Sequence, residues 1–165
     1  MELRTDDRND RGDCIQEGLR QGARQDARER INVGCTENMI LQDGSQNDQY
    51  GLELVVDLYE CSLEKISSEE SIRNFVVKLC GEVIEMKRYG EALIPHFGHE
   101  DPITSGYSLV QLIETSAVTA HFSEHKRSVY LNIFSCKWFD SRRTVRFSKL
   151  WFGAKKAKSR LIQRI

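Results

Sequence analysis

The stretch Gly106–Cys136, GYSLVQLIETSAVTAHFSEHKRSVYLNIFSC, decides the fold. It contains three runs, YSLVQLIE, SAVTAHF and SVYLNIFSC, rich in β-branched and aromatic residues and parted by short polar breaks. That pattern predicts three consecutive antiparallel strands. In the first break Glu114, Thr115 and Ser116 form a polar knot; His121 lies five residues beyond Ser116, and Cys136 fifteen beyond His121. Each of the three has an ordinary reading. A serine between strands is commonly a turn residue bonded to its own backbone. A histidine in an apolar run is commonly a satisfied core residue, and a cysteine at a strand end an inert small hydrophobe. Taken together they set a nucleophile, a base and a proton donor on adjoining strands of one sheet.

Upstream of this stretch, GLELVVDLYEC sends Leu52, Leu54, Val56 and Leu58 to one side and Glu53, Val55, Asp57 and Tyr59 to the other, which is strand alternation. In SLEKISSEESIRNFVVKLCGEVI the apolar residues Ile72, Phe75, Val76, Leu79, Val83 and Ile84 recur at helical spacing, with Ser67 and Glu70 placed as a capping box. EMKRYGEALIPHF reads as a short strand and GHEDPITSG as a loop. Downstream, Asp140 is positioned to cap a helix through SRRTVRFSKLWF that stops at Gly153, and Arg160–Ile165 reads as a last strand. This order predicts an α+β two-layer sandwich, a mostly antiparallel sheet with its helices on one face.

Residues 1–49 differ in kind. They lack aromatics, are rich in charged residues, Gln, Asn and Gly, and show no apolar period, so they read as a disordered polar leader before a single domain over 50–165. Met39 offers an alternative start of translation. At 165 residues the chain has room for one domain with a real core. A formal net charge of −1 gives no global argument for nucleic acid or membrane binding, and no apolar run approaches a membrane span. The five cysteines, odd in number and without a C-x-x-C pair, fit neither a disulfide framework nor a zinc ribbon and suit a reducing cytoplasm.

The spacing resembles that of the short, prokaryotic-type, pyruvoyl-dependent S-adenosylmethionine decarboxylases over residues 50–155. That family carries Gly-x-Ser, a serine eight residues on that becomes the pyruvoyl group, a histidine five further and a cysteine fifteen beyond. Gly106-Tyr107-Ser108, Ser116, His121 and Cys136 meet each interval without a gap, and GLELVVDLYEC is similar to the family's first strand. The resemblance implies that Ser116 attacks the carbonyl of Thr115 and turns the amide into an ester. β-Elimination and hydrolysis then leave chains of residues 1–115 and 116–165, the second beginning with pyruvoyl. It further implies His121 as the acid/base of processing with Ser108 assisting, and Ser116, as pyruvoyl, as the Schiff-base carbonyl that accepts electrons during decarboxylation. Cys136 would be the proton donor to the α-carbon, a role that suits a thiol. For the adenine and sulfonium of the substrate, Phe97, Tyr107, Phe122 and Glu124 are the candidates. A homodimer building its site across an interface, a role in polyamine (spermidine) synthesis, and no metal or diffusible cofactor complete the expectation.

The sequence departs from the family at several places. Thr115-Ser116-Ala117 stands for Glu-Ser-His, Phe122-Ser123-Glu124-His125 for Thr-Trp-Pro-Glu, and Asn132 for the strand aspartate. The processing residues are kept while the substrate-contacting ones are altered, which leaves open a pyruvoyl decarboxylase of another amino acid, such as arginine or ornithine. It also leaves open an uncleaved, non-catalytic paralogue that binds a ligand. A metal site from His96, His99, His121 and His125 is a further reading, against scattered surface histidines. The nine Lys/Arg among residues 141–165 suggest either nucleic acid contact or a basic edge strand, the commoner case.

Overall fold

The computed structural model describes residues 49–98 and 101–165. The leader segment and His99 therefore lie outside the described residues. Seven strands form one antiparallel sheet: β1 (Gly51–Tyr59), β2 (Arg88–Leu93), β3 (His96–Phe97), β4 (Gly106–Ile113), β5 (Ser116–Ser123), β6 (Ser128–Ser135) and β7 (Lys156–Arg164). Their spatial order is β2-β4-β5-β6-β1-β7, with β3 pairing β4. The three runs of the opening stretch are β4, β5 and β6, each hydrogen-bonded to the next. First and last strands lie side by side, so β1 is an interior strand although it opens the domain.

Alternation decides which residues make the core. Leu52, Leu54, Val56 and Leu58 are all buried, as are Val118, Ala120 and Phe122 from β5 and Leu131 and Ile133 from β6. Against this face lie the helices α1 (Leu63–Ile66), α2 (Glu69–Lys78) and α3 (Ser141–Trp151), through Ile72, Phe75, Val76 and Val145. Phe75 packs on Phe152 with ring centroids 4.6 Å apart, and Phe152 packs on Phe122 at 5.4 Å, which ties helix layer to sheet. The two-layer α+β architecture expected from the sequence is the one observed.

Local details differ from the expectation where polar residues choose between neighbouring roles. Ser68, extended at φ −118°, caps α2 by accepting from the Ser71 amide; Ser67 instead closes α1, its hydroxyl donating to the Leu63 carbonyl at 2.7 Å. After α2 the chain widens into a π-helical turn, Leu79–Val83, that still buries Leu79, Cys80 and Val83. Asp140 caps α3 through the Arg143 amide as expected, and Gly153 ends the turn after it with φ +61°. The last strand begins at Lys156, four residues before the expected start, and pairs with β1 along its whole length. Its first residues alternate charged and small side chains, so no apolar period announces the strand. Position at the sheet edge explains the basic residues. Acids from elsewhere match two of them, Lys156 by Glu60 and Arg164 by Glu53, and outside the strand Lys155 meets Glu60 and Arg143 meets Glu85.

Candidate active site

Strands β4 and β5 are joined by the two-residue loop Glu114-Thr115, closed by the pair Ile113 and Ser116. Thr115 has φ +62°. A β-branched side chain is a poor tenant of that left-handed region, where hairpins usually place glycine or asparagine. The Glu114 amide donates to the Lys87 carbonyl at 3.0 Å, and Lys87 Nζ holds Glu114 Oε1 at 2.8 Å. Thr115 Oγ1 donates to the Glu114 carbonyl at 2.7 Å.

Cys136 follows β6 and sits on both sides of the Thr115–Ser116 bond. Its thiol donates to the Thr115 carbonyl at 3.2 Å, and its amide donates to Ser116 Oγ at 3.1 Å. The amide bond leaves a lone pair of the hydroxyl free, and the thiol lies where negative charge would gather if that hydroxyl attacked the carbonyl. A glycine makes the approach possible: a Cβ on Gly51 would lie 2.6 Å from the Ser135 carbonyl oxygen, beside Cys136. Ser135 steadies the turn beyond the strand, its hydroxyl donating to the Lys137 carbonyl at 2.7 Å and accepting from the Lys137 amide at 2.9 Å.

The second half of the constellation stands elsewhere. Ser108 and His121 face each other across β4 and β5, with Ser108 Oγ and His121 Nδ1 3.2 Å apart. The backbone here permits only glycine at 106, where a Cβ would lie 1.8 Å from the Phe122 carbonyl oxygen. Beside this pair, His96 Nε2 and Glu124 Oε1 are 3.0 Å apart, both largely covered, and the His96 ring meets Tyr107 edge-on at 4.7 Å. Phe97 is exposed on the same end of the sheet, paired with Gly106. Ser116 opens β5 and His121 nearly ends it, so the two are roughly 17 Å apart at about 3.4 Å per residue. Alternation also turns them to opposite faces. The candidate residues therefore fall into two groups: Thr115, Ser116 and Cys136 at one end, and Ser108 and His121 with Phe97, Tyr107 and Glu124 at the other.

Phe122 is the exception among the expected substrate contacts. It is fully buried against Phe152 and offers no face to a ligand, because its even position on β5 points it into the core. His125 lies in the turn after β5, which ends at Ser123, and so does not share a strand face with His121. Among the described residues no three or more His, Cys, Asp or Glu side chains gather as a metal site. Lys87, and the pairing of His96 with Glu124, escaped the sequence reading; each acts through a partner distant in the chain, and no local spacing marks it.

A family model described as S-adenosylmethionine decarboxylase matches residues 52–165. The chain belongs to the S-adenosylmethionine decarboxylase family. Both groups of candidate residues in this decarboxylase-family chain fall inside the matched region. No curated protein matches it. Among solved structures it is similar to the adenosylmethionine decarboxylase from Aquifex aeolicus VF5, with 17% sequence identity and a TM-score of 0.58 over 70% of this chain and 91% of that one. At that identity the likeness supports the fold. Among the described residues no helix is long and apolar enough to cross a membrane.

Proposed function

We propose that the chain cuts itself between Thr115 and Ser116, that Ser116 becomes a pyruvoyl group, and that the product decarboxylates S-adenosylmethionine to supply aminopropyl groups for polyamine synthesis. The observation that carries this reading is the double engagement of Cys136 with the carbonyl and the hydroxyl that would react. Ser116 Oγ adds to the Thr115 carbonyl carbon, and the C–N bond breaks as the hydroxyl proton passes to the Ser116 nitrogen, leaving an ester. Loss of the Ser116 α-proton expels the Thr115 carboxylate, and water then replaces the nitrogen, released as ammonia, to give the ketone. That ketone supplies the electron-accepting carbonyl for decarboxylation. Cys136, beside it, is the proton donor to the substrate carbon. Phe97, Tyr107 and Glu124 contribute aromatic faces and a carboxylate for the sulfonium and nucleoside. The free thiols of Cys61, Cys80 and Cys136 suit a reducing, cytoplasmic setting.

The separation of Ser116 from His121 supports a homodimer in which Ser108 and His121 of one chain serve Ser116 and Cys136 of its partner. The sheet face that carries Ser108 and His121 also exposes Val110 and Leu112, 41% and 51% accessible, an apolar patch that a second copy would cover. Co-expression of Ser116→Ala and His121→Ala chains tests this. Each alone stays uncut, and the mixed dimer cuts its His121→Ala chain. Persistent failure of the mixture, with each wild-type chain cutting normally, overturns the shared site.

A further inference from the structure

The three residues before β2, Glu85, Met86 and Lys87, reach both sides of the bond proposed to break. Lys87 takes the hairpin side. Its carbonyl accepts from the Glu114 amide at 3.0 Å, and its Nζ donates to Glu114 Oε1 at 2.8 Å. Glu114 is thereby held at backbone and side chain together, one residue before Thr115 and its φ of +62°. Met86 and Glu85 take the Cys136 side. Met86 Sδ accepts from the Ser135 hydroxyl at 3.3 Å, and the Glu85 carbonyl accepts from Lys137 Nζ at 3.3 Å. Ser135 and Lys137 flank Cys136, which itself donates to the Thr115 carbonyl and to Ser116 Oγ. The contacts close a ring: residues 85–87 to Glu114, along the chain to Thr115 and Ser116, across to Cys136, and back through its two neighbours.

We infer that Lys87 is a positioning residue for self-cleavage, clasping Glu114 so that the Thr115 carbonyl stays against the Cys136 thiol. This rests on the proposed cutting at Ser116. A non-glycine residue in the left-handed region gains by relaxing, and a hairpin loop of two residues has few contacts of its own to prevent it. Turning the Thr115 peptide would carry its carbonyl off the thiol, and a misplacement of about 1 Å between reacting groups can cost about a hundredfold in rate. No bond or proton changes at Lys87; it acts only through Glu114. The side chains of the pair are 78% and 60% exposed, so the pair contributes little to global stability. Its worth to the reaction is therefore separable from its worth to the fold.

Lys87→Met keeps the carbonyl and the stem and removes only the charged donor. Its self-cleavage, followed by gel and intact mass after rapid purification, is expected to slow about two- to fivefold, the range of an exposed ion pair. Lys87→Arg should cut at close to the wild-type rate. Glu114→Gln should slow cutting as much as Lys87→Met does, and the double variant no more than either; losses that multiply would overturn the pairing. In about 1 M salt, which screens exposed charges, wild-type and Lys87→Met rates should converge, whereas a merely structural role would persist and lower the unfolding midpoint. A second measurement does not depend on cutting. In the uncut Ser116→Ala chain, hydrogen exchange of the Glu114 amide, read by NMR, should speed about two- to fivefold with Lys87→Met, while amides of the β5–β6 ladder keep their rates. Wild-type cutting by Lys87→Met, or slower cutting with unchanged Glu114 exchange, overturns the inference and leaves the proposed function standing. If wild-type protein does not cut, the proposed function fails and the positioning role with it, and the exchange rates alone then decide whether Lys87 holds the turn.

Discussion

Replacing Thr115 by glycine separates strain from chemistry at the bond between residues 115 and 116. Thr115 sits at φ +62°. A non-glycine residue held there stores about 1–3 kcal/mol. Glycine removes that strain but costs about 0.5–1 kcal/mol in chain entropy. The uncut fold should therefore gain about 1 kcal/mol net, measured by urea unfolding of Ser116→Ala against Thr115→Gly/Ser116→Ala. The proposed cut would relieve the strain in wild-type protein, because Thr115 would become a free chain end. If about 1.4 kcal/mol of it is released by the transition state, Thr115→Gly should cut about tenfold more slowly. A quench series on freshly purified protein, resolved by gel, gives the rate. Lower stability together with wild-type cutting would refute the reasoning, since the positive φ would then be neither costly nor used.

Other expectations follow from burial. Cys61 and Cys80 are fully buried, and burial pushes each thiol from 9.0 up to about 11. Neither should react with iodoacetamide at pH 8 in the folded chain, while half-buried Cys136 should. Because the folded thiols hold their protons above the pH at which the unfolded ones release them, their contribution to stability should be full below pH 9 and be lost as pH rises toward 11. The loss is on the order of 2–3 kcal/mol per thiol, checked by denaturant midpoints across that range. Phe122→Ala should destabilise by about 3–5 kcal/mol. Phe97→Ala should leave the midpoint unchanged and raise KM about tenfold at constant kcat, a loss of one aromatic contact to a cation. The reverse pattern would return Phe122 to the substrate site.

The sheet was legible because its strands carry their pattern locally. Leu52 to Leu58 and the runs of β4 to β6 alternate cleanly, and α2 announces its buried face by spacing alone. Beginnings and ends were less legible where two serines compete for one cap, as Ser67 and Ser68 do, or where an edge strand faces solvent, as Lys156–Arg160 does. The intervals from Ser108 to Cys136 singled out the residues proposed to react. Read on one strand, the five residues from Ser116 to His121 already set the two about 17 Å apart; what spacing does not tell is whether a second chain closes that gap. Phe122 was assigned by type rather than by parity; its even position on β5, with Val118 and Ala120, already marks it as core. Lys87 and His96 reach across 27 and 28 residues of chain to Glu114 and Glu124, and only the folded sheet brings them there.

The most direct measurement is the intact mass of purified full-length protein. The account predicts two chains, of residues 1–115 and 116–165, the shorter blocked at its first residue by a carbonyl that reacts with a hydrazide, and a single whole chain for Ser116→Ala. One uncut wild-type chain after long incubation, with serine still at position 116, would contradict it.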